Sequence, residues 1–494
     1  MPSIADQAFN SAHRRILAVL IIWFCMALID VGIVNVALPS IQHDLGATPS
    51  DLQWILSGYA LTFGVVLIAA GRAGDLLGRG GLFIAGLVVF TAASLAASLA
   101  PTPQWLNLAR FVEGIGAGGM SPQVYGMVQQ YFSGAERGRA FGYLGAATSL
   151  AVAIAPTLGG ALIELGGPYW GWRLTFLVNV PLGIVGLVLA WAWFPKPLIH
   201  FGNASHARDA ATPMHLLRAL DPVGSILAGL AILAVLFPFV EFHASAWIWL
   251  LVPGGLGLAA SWVWWERRYA RAGHLPMVDL RLFTFHSFAN GLAIQTLYFL
   301  GMTSVWVLVA LYLQEGAGKS ALETGLVGMP AAIVAAFAAN WAGKRVVSLG
   351  RALVIGGQTL AVAGLLLSVL VVILHARGAA SVWWLMATLA VFGIGQGAAV
   401  SPNQTLTLER VPLAYAGSAG ALVSTSQRVG ASIGIAVVTA AAFSMLRHAS
   451  WSVATVSGFA LIIFFMLIAI GVGIQDLHDS KRQPKFPRAD IIQH

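Results

Sequence analysis

"ILAVLIIWFCMALIDVGIVNVALP", Ile16 to Pro39, is an apolar run with one acid, Asp30, set inside it. About 20 apolar residues in a helix cross the hydrocarbon core of a bilayer, and this run has that length. It reads as a membrane-spanning helix. An aspartate near the centre of such a helix costs roughly 2.5–3.5 kcal/mol on insertion scales, so something must offset that cost or use it. The whole chain has the same character: of 494 residues 58% are hydrophobic and 9% charged, and the mean hydropathy is +0.81. That is too apolar for a soluble protein with one buried core, and implies an all-α polytopic membrane protein.

Reading apolar runs of membrane length along the chain predicts fourteen spans, at 16–37, 52–71, 80–100, 105–131, 139–163, 174–194, 222–242, 246–265, 287–313, 323–342, 352–374, 382–402, 416–443 and 452–475. An even number puts both termini on one side. Most of the 27 lysines and arginines fall at the termini and in the even-numbered connections. Basic connections face the cytoplasm, so both termini are expected there, in a cell inner (plasma) membrane. The net charge of +8 therefore orients helices against lipid and gives no basic stripe for a nucleic acid. The single cysteine, Cys25, excludes an intrachain disulfide and reads as packing. No clustered His, Asp or Cys residues suggest a metal site, and "GAGGMSPQ" (Gly116–Gln123) lacks the Gly-Lys-Ser/Thr of a phosphate loop. No cofactor is expected.

The sequence also repeats weakly. "GRAGDLLGR" (71–79) shares its Gly-x6-Gly-Arg skeleton with "GKRVVSLGR" (343–351), and "GIGAGGMSPQ" (114–123) is echoed by "GIGQGAAVSPNQ" (393–404). The shift is eight spans, which fits two six-helix bundles with two extra helices between them. Internal symmetry of this type marks secondary transporters. The expected organisation is a first bundle over 1–194, a linker with two extra spans over 195–285, a second bundle over 286–475 and a cytoplasmic tail over 476–494.

These stretches resemble the fourteen-span drug:proton antiporter branch of the major facilitator superfamily, the EmrB/QacA type. "LIDVGIVNVALP" is similar to its first-span motif, "GRAGDLLGR" to the superfamily's loop motif, "ARFVEGIGAGG" to the fourth-span motif and "APTLGG" to the antiporter motif of span five. "WRLTFLVNVPLG", "LYLQEGAGKSALETG" and "STSQRVGASIG" also sit where that branch has similar stretches. The resemblance implies a proton-coupled exporter of drug-sized hydrophobic or amphipathic compounds, working as a monomer among membrane lipids with protons as the coupling ion. The chain departs from the pattern at Leu76 and Gly80, where the loop motif has basic residues, at Ala155, where span five has glycine, and at Glu113, where glutamine is common.

Counting along the helices adds a physical argument. Asp30 lies about 12 Å from the outer end of span one, and Arg110 and Glu113 lie roughly 8 and 12 Å below the same surface in span four. Arg110 and Glu113 are i, i+3 neighbours on one face, and a facing first helix brings Asp30 to them. Two acids around one fixed cation in a low-dielectric cleft share a proton, which makes the three a candidate coupling site. A salt bridge that only joins helices one and four is the alternative.

Gly71, Asp75, Gly78 and Arg79 form a candidate conformational motif, in which Asp75 caps the positive end of a helix from the other bundle. Pro156, Gly159 and Gly160 bend and thin span five where the bundles close, or simply pack it. Trp23, Tyr59, Tyr125, Phe299 and Trp306 fall in helices that the resemblance implies line the central cleft, and an apolar, aromatic cleft suits amphipathic drug-sized molecules. Arg428, mid-span in the thirteenth helix with no acid nearby in the sequence, either contacts an anionic or carbonyl group of substrate or bonds to Gln427, Gln295, Gln358, Asn340 or backbone carbonyls. Two rival functions stay open. One is a dedicated exporter of a single lipid or natural product without proton coupling. The other is a membrane enzyme or sensor, which the short connections, the longest about Pro195 to Asp221, disfavour.

Overall fold

The structure is a computed structural model that describes residues 10–198, 220–240, 246–274, 276–446 and 448–482. Residues 199–219 of the expected linker and 483–494 of the expected tail lie outside the described residues. The described chain is helical. Its long helices are α1 (Ser11–Leu45), α2 (Pro49–Leu77), α3 (Arg79–Ser98), α4 (Pro103–Tyr131), α5 (Gly134–Leu177), α6 (Asn179–Trp193), α7 (Pro222–Val240), α8 (Leu251–Arg271), α9 (His286–Leu311), α10 (Ala321–Leu349), α11 (Arg351–Ala376), α12 (Leu385–Thr407), α13 (Ala416–Leu446) and α14 (Trp451–Arg482).

The helix boundaries follow from capping chemistry. Thr48 and Asp51 form a capping box at the start of α2, with Pro49 in its first turn, and Ser320 and Glu323 do the same for α10. Both satisfy amide donors that the first turn leaves open. Gly78 (φ 103°) and Gly350 (φ 54°) separate α2 from α3 and α10 from α11 at matching places in the two repeats. A side chain is strained there, so the repeated Gly-Arg skeleton is a repeated turn. In α5 the chain reverses at Gly167 (φ 64°), just before Pro168. A Cβ on Gly171 would lie 2.5 Å from the carbonyl oxygen of Ile163, whereas residues eight apart in a straight helix are about 12 Å apart.

Twelve helical segments among the described residues are long and apolar enough to cross a membrane, and one of them, Gly134–Trp193, holds both α5 and α6. Helix α4, which carries Arg110 and Glu113, is too polar to be one of the twelve. Helices α1–α6 pack mainly on one another, as do α9–α14, while α7 and α8 pair together and α7 lies on α2 and α13. The two halves meet where α5 crosses α10 and α12 and where α13 crosses α2 and α4. The last helix continues to Arg482. Asp476 therefore belongs to the second half, buried against Arg351, and not to a tail beginning at that residue.

Candidate functional site

Helix α4 places Arg110 and Glu113 one turn apart, and α1 brings Asp30 against them. One nitrogen of Arg110, Nη1, donates to Asp30 Oδ2 at 2.8 Å and to Glu113 Oε2 at 2.7 Å. Its Nε donates to the carbonyl of Ile55 at 3.1 Å, and its guanidinium lies 4.4 Å from the Tyr59 ring centroid. The remaining carboxylate oxygens are also held. Asn179 Nδ2 donates to Asp30 Oδ1 at 2.9 Å, and the Ser94 hydroxyl donates to Glu113 Oε1. All five polar side chains are essentially sealed, at 0–1% exposure. Two carboxyl groups thus share one cation out of water, so the cluster is neutral only when one of them carries a proton.

Ser94 on α3 and Asn179 at the start of α6 are participants that the sequence reading missed. Neutral polar residues inside spans look like packing, and Asn179 announced itself only as one of the polar residues within "WRLTFLVNVPLG". Its Oδ1 is buried without a partner, so the cluster keeps one unused acceptor.

A second assembly joins the halves. Asp75 on α2 accepts from the amides of Gly417 and Ser418 at 2.8 and 2.9 Å and from the Ser418 hydroxyl at 3.1 Å. These groups form the first turn of α13, where unpaired amides and the helix dipole favour a carboxylate. Arg79 Nη2 bridges Asp75 (2.7 Å) and the Leu413 carbonyl (2.6 Å). A Cβ on Gly71 would sit 2.6 Å from the Gly417 carbonyl oxygen, so only glycine fits. Gln129 Nε2 adds bonds to the carbonyls of Leu408 and Val411 at 3.0 and 2.6 Å. The bonds between halves gather at this Asp75 end, and one of them joins the Ser121 and Ser424 hydroxyls at 3.2 Å.

Residues 276–285 wedge beneath the same junction. The Ser418 hydroxyl also reaches the Met277 carbonyl at 3.2 Å, and Glu266 on α8 accepts from the Met277 amide at 3.0 Å. Asp279 holds Arg281 at 2.8 Å. Burial works against ionisation of Asp279, but the bonds and charge of Arg281 outweigh it and hold the carboxyl below its ordinary range.

Gly159 shows the packing role allowed for span five, and the geometry takes Trp23 out of the expected cleft. Gly159 packs against Ile33 of α1 inside the first half, Gly160 faces open space and Pro156 is exposed. At the Asp75 end, α5 approaches the second half through Gly138 and Gly142, whose added Cβ atoms would meet Gly343 and Ala339 carbonyl oxygens at 2.5 and 2.9 Å. Trp23 is core of the first half, 3% exposed and edge-on to Phe83. Phe299 lies edge-on to Tyr298 and Trp306 edge-on to Phe392, both half-buried in the second half. Of the six residues expected at the cleft, the structure brings Tyr59, Tyr125 and Arg428 together. The Arg428 guanidinium lies 3.3 Å from the Phe63 ring centroid, so it reaches across from α13 to α2. The amide side chains proposed as its partners are engaged elsewhere or apart: Gln427 bonds Tyr125, and Gln295 accepts from Asn403.

Residues 20–435 match the sequence profile of the Major Facilitator Superfamily. The chain belongs to this superfamily. It is 32% identical over 425 residues to a protein of Streptomyces coelicolor named as a probable actinorhodin transporter, covering 85% of this chain and 71% of that one. It is 30% identical over 420 residues to the multidrug resistance protein Stp of Mycobacterium tuberculosis, with 84% and 73% covered. The proton:xylose symporter XylE shares the fold, with a TM-score of 0.62 at 16% identity over 96% of each chain. As a superfamily member the chain is a multi-pass membrane transporter of small molecules and not an enzyme. The Asp75 junction is then a contact that must break and re-form if the halves move during transport, and the Asp30 cluster is a sealed acid site within the half that holds α1–α6.

Proposed function

We propose that the protein is a proton-coupled antiporter that exports drug-sized hydrophobic or amphipathic compounds by alternating access, as a monomer in a bacterial-type inner membrane. The observation that carries this reading is the cluster of Asp30, Glu113 and Arg110: two buried carboxyl groups, one cation and a charge count that balances with a proton. Relatives named for multidrug resistance and puromycin resistance support export as the direction. The finer architecture is that of the fourteen-span EmrB/QacA branch, two six-helix bundles with α7 and α8 inserted. Fourteen long helices support it, counting α4, whose charges and glycines lower its apolarity, and counting α5 and α6 separately. With both termini cytoplasmic, the Asp75 end faces the cytoplasm and this conformation is closed on that side.

Proteoliposomes with an imposed pH gradient test the reading. Accumulation of a fluorescent amphiphile should follow the gradient and stop when an ionophore collapses it. Uptake that is indifferent to the ionophore would leave a transporter without proton coupling.

Asp75→Asn should slow turnover about tenfold while substrate affinity in detergent stays within about twofold. It weakens bonds to a charged acceptor, worth about 1.5–3 kcal/mol, in only one of the two conformations. An equal loss of affinity with turnover intact would show that Asp75 acts on the substrate site.

A further inference from the structure

We propose that the compounds carried are amphipathic organic anions, and that the guanidinium of Arg428 is their counter-charge. The inference rests on the transport reading above but not on its proton coupling. Four other arginines are paired with a carboxylate: Arg110 with Asp30 and Glu113, Arg351 with Asp476, Arg173 with Asp44 and Arg79 with Asp75. Arg428 is different. Among the described residues no carboxylate forms an ion pair with it, and the neutral phenols of Tyr59 and Tyr125 lie beside it. It also has no hydrogen-bond partner there.

Its position is central. Arg428 is twelve residues into α13, about 18 Å from the Asp75 end of a helix about 46 Å long. One face of the guanidinium plane is covered by Phe63. The nitrogens are not among the sealed, unpartnered atoms, so the donor edge faces open space between the halves. Thr425 Oγ1, on the same face of α13 one turn earlier, is buried with no partner. On the Asp75 side the floor is made of neutral groups, Tyr125 bonded to Gln427 and Ser424, and Ser424 bonded to Ser121. The open side thus presents the donor edge of a planar fork between aromatic walls.

Such a site selects by charge. A neutral carbonyl would accept hydrogen bonds from the fork and leave a full positive charge uncompensated in a low-dielectric interior. An oxyanion satisfies the donors and the charge together, and bidentate geometry suits carboxylate, sulfonate or phosphate oxygens. A cation gains nothing here, since Arg428 already occupies the Phe63 face and repels it. Aromatic rings around the fork suit an anion carried on an apolar body.

The test compares two xanthene dyes whose charges do not change with pH, anionic sulforhodamine B and cationic rhodamine 6G, by fluorescence polarisation with the purified full chain in detergent. The native protein should bind the anion at least tenfold more tightly. Arg428→Gln should lose at least tenfold in anion affinity and leave rhodamine 6G unchanged or tighter, and Arg428→Lys should recover part of the loss. The melting temperature of each variant separates a lost site from a lost fold. If Arg428→Gln does not fold, the native dye preference and Arg428→Lys decide. Tighter binding of the cation by the native protein, or an unchanged anion affinity in a folded Arg428→Gln, overturns the proposal. Because binding is read without a gradient, Arg428-dependent anion binding with no gradient-driven flux would sink the proton-coupling reading alone.

Discussion

Asp30→Asn should reduce pH-gradient-driven export to the level of protein-free vesicles while the purified protein still folds. Asparagine keeps the size of the side chain and an oxygen to receive the Arg110 bond, which is 2.8 Å long in the native protein. It removes the one group on α1 in the cluster that can take up and release a proton. The bond from Asn179 is the part at risk, because the new amide then faces another amide. Glu113→Gln should be milder, since its carbonyl oxygen can keep the bond from Arg110 and its new amide can donate to the Ser94 hydroxyl, which donates to Glu113 in the native protein. Flux in membrane vesicles at matched expression, measured across pH, gives the ordering. Full gradient-driven export by Asp30→Asn alongside an inactive Glu113→Gln would move the proton site to α4 and leave Asp30 as a structural partner.

Arg110→Ala should be the most damaging single change to the fold. It strips the shared cation from two sealed carboxyl groups, and breaking a buried pair from one side costs about 3–5 kcal/mol. The Ile55 carbonyl loses its donor, and a large, fully buried side chain is lost from the packing under Tyr59 and Phe176. Expression and melting temperature in detergent should both fall. Adding Glu113→Gln to Arg110→Ala should restore part of the loss, because it removes one of the two acids left without a counter-charge. A melting temperature equal to the native one in Arg110→Ala would mean that Asp30 and Glu113 are both protonated in the folded protein.

The acid cluster was legible in the sequence because a helix rise is a ruler. Counting residues from the ends of two apolar runs put Asp30, Arg110 and Glu113 at one depth, and charged residues inside such runs are too costly to be overlooked. Ser94 and Asn179 carried no such signal, since hydroxyl and amide side chains are tolerated in spans for many reasons. The Asp75 junction was legible in part, from an acid in a repeated Gly-Arg turn. A capped helix in the other half was expected, but that it is α13 was not legible, because amides at a helix start belong to the backbone and leave no trace in residue identity.

Helical phase limited the aromatic predictions. Trp23 and Phe24 are neighbours, yet Trp23 turns into the first half against Phe83 while Phe24 faces Tyr125. Gly159 and Gly138 are equally plausible contact glycines by composition, and only the crossing of α5 with α10 selects Gly138. The boundary set before Asp476 failed for a related reason. "GIQDLHDS" reads as a polar tail, but Arg351 and Asn290 supply the partners that let Asp476 stay inside.

The polarity of α4 has a consequence for how the chain is made. At the centre of a span each charged residue adds about 2.5–3.5 kcal/mol to the cost of leaving water for lipid, and α4 brings two of them with little apolar surplus. The Arg110–Glu113 bond lies within α4 itself, so their charges can cancel as soon as that helix coils. The other partners, Asp30, Ile55 and Ser94, lie on α1, α2 and α3, which leave the ribosome first. The fourth helix is therefore received by a half-built bundle that already holds its solvation, and synthesis order supplies what its own sequence lacks.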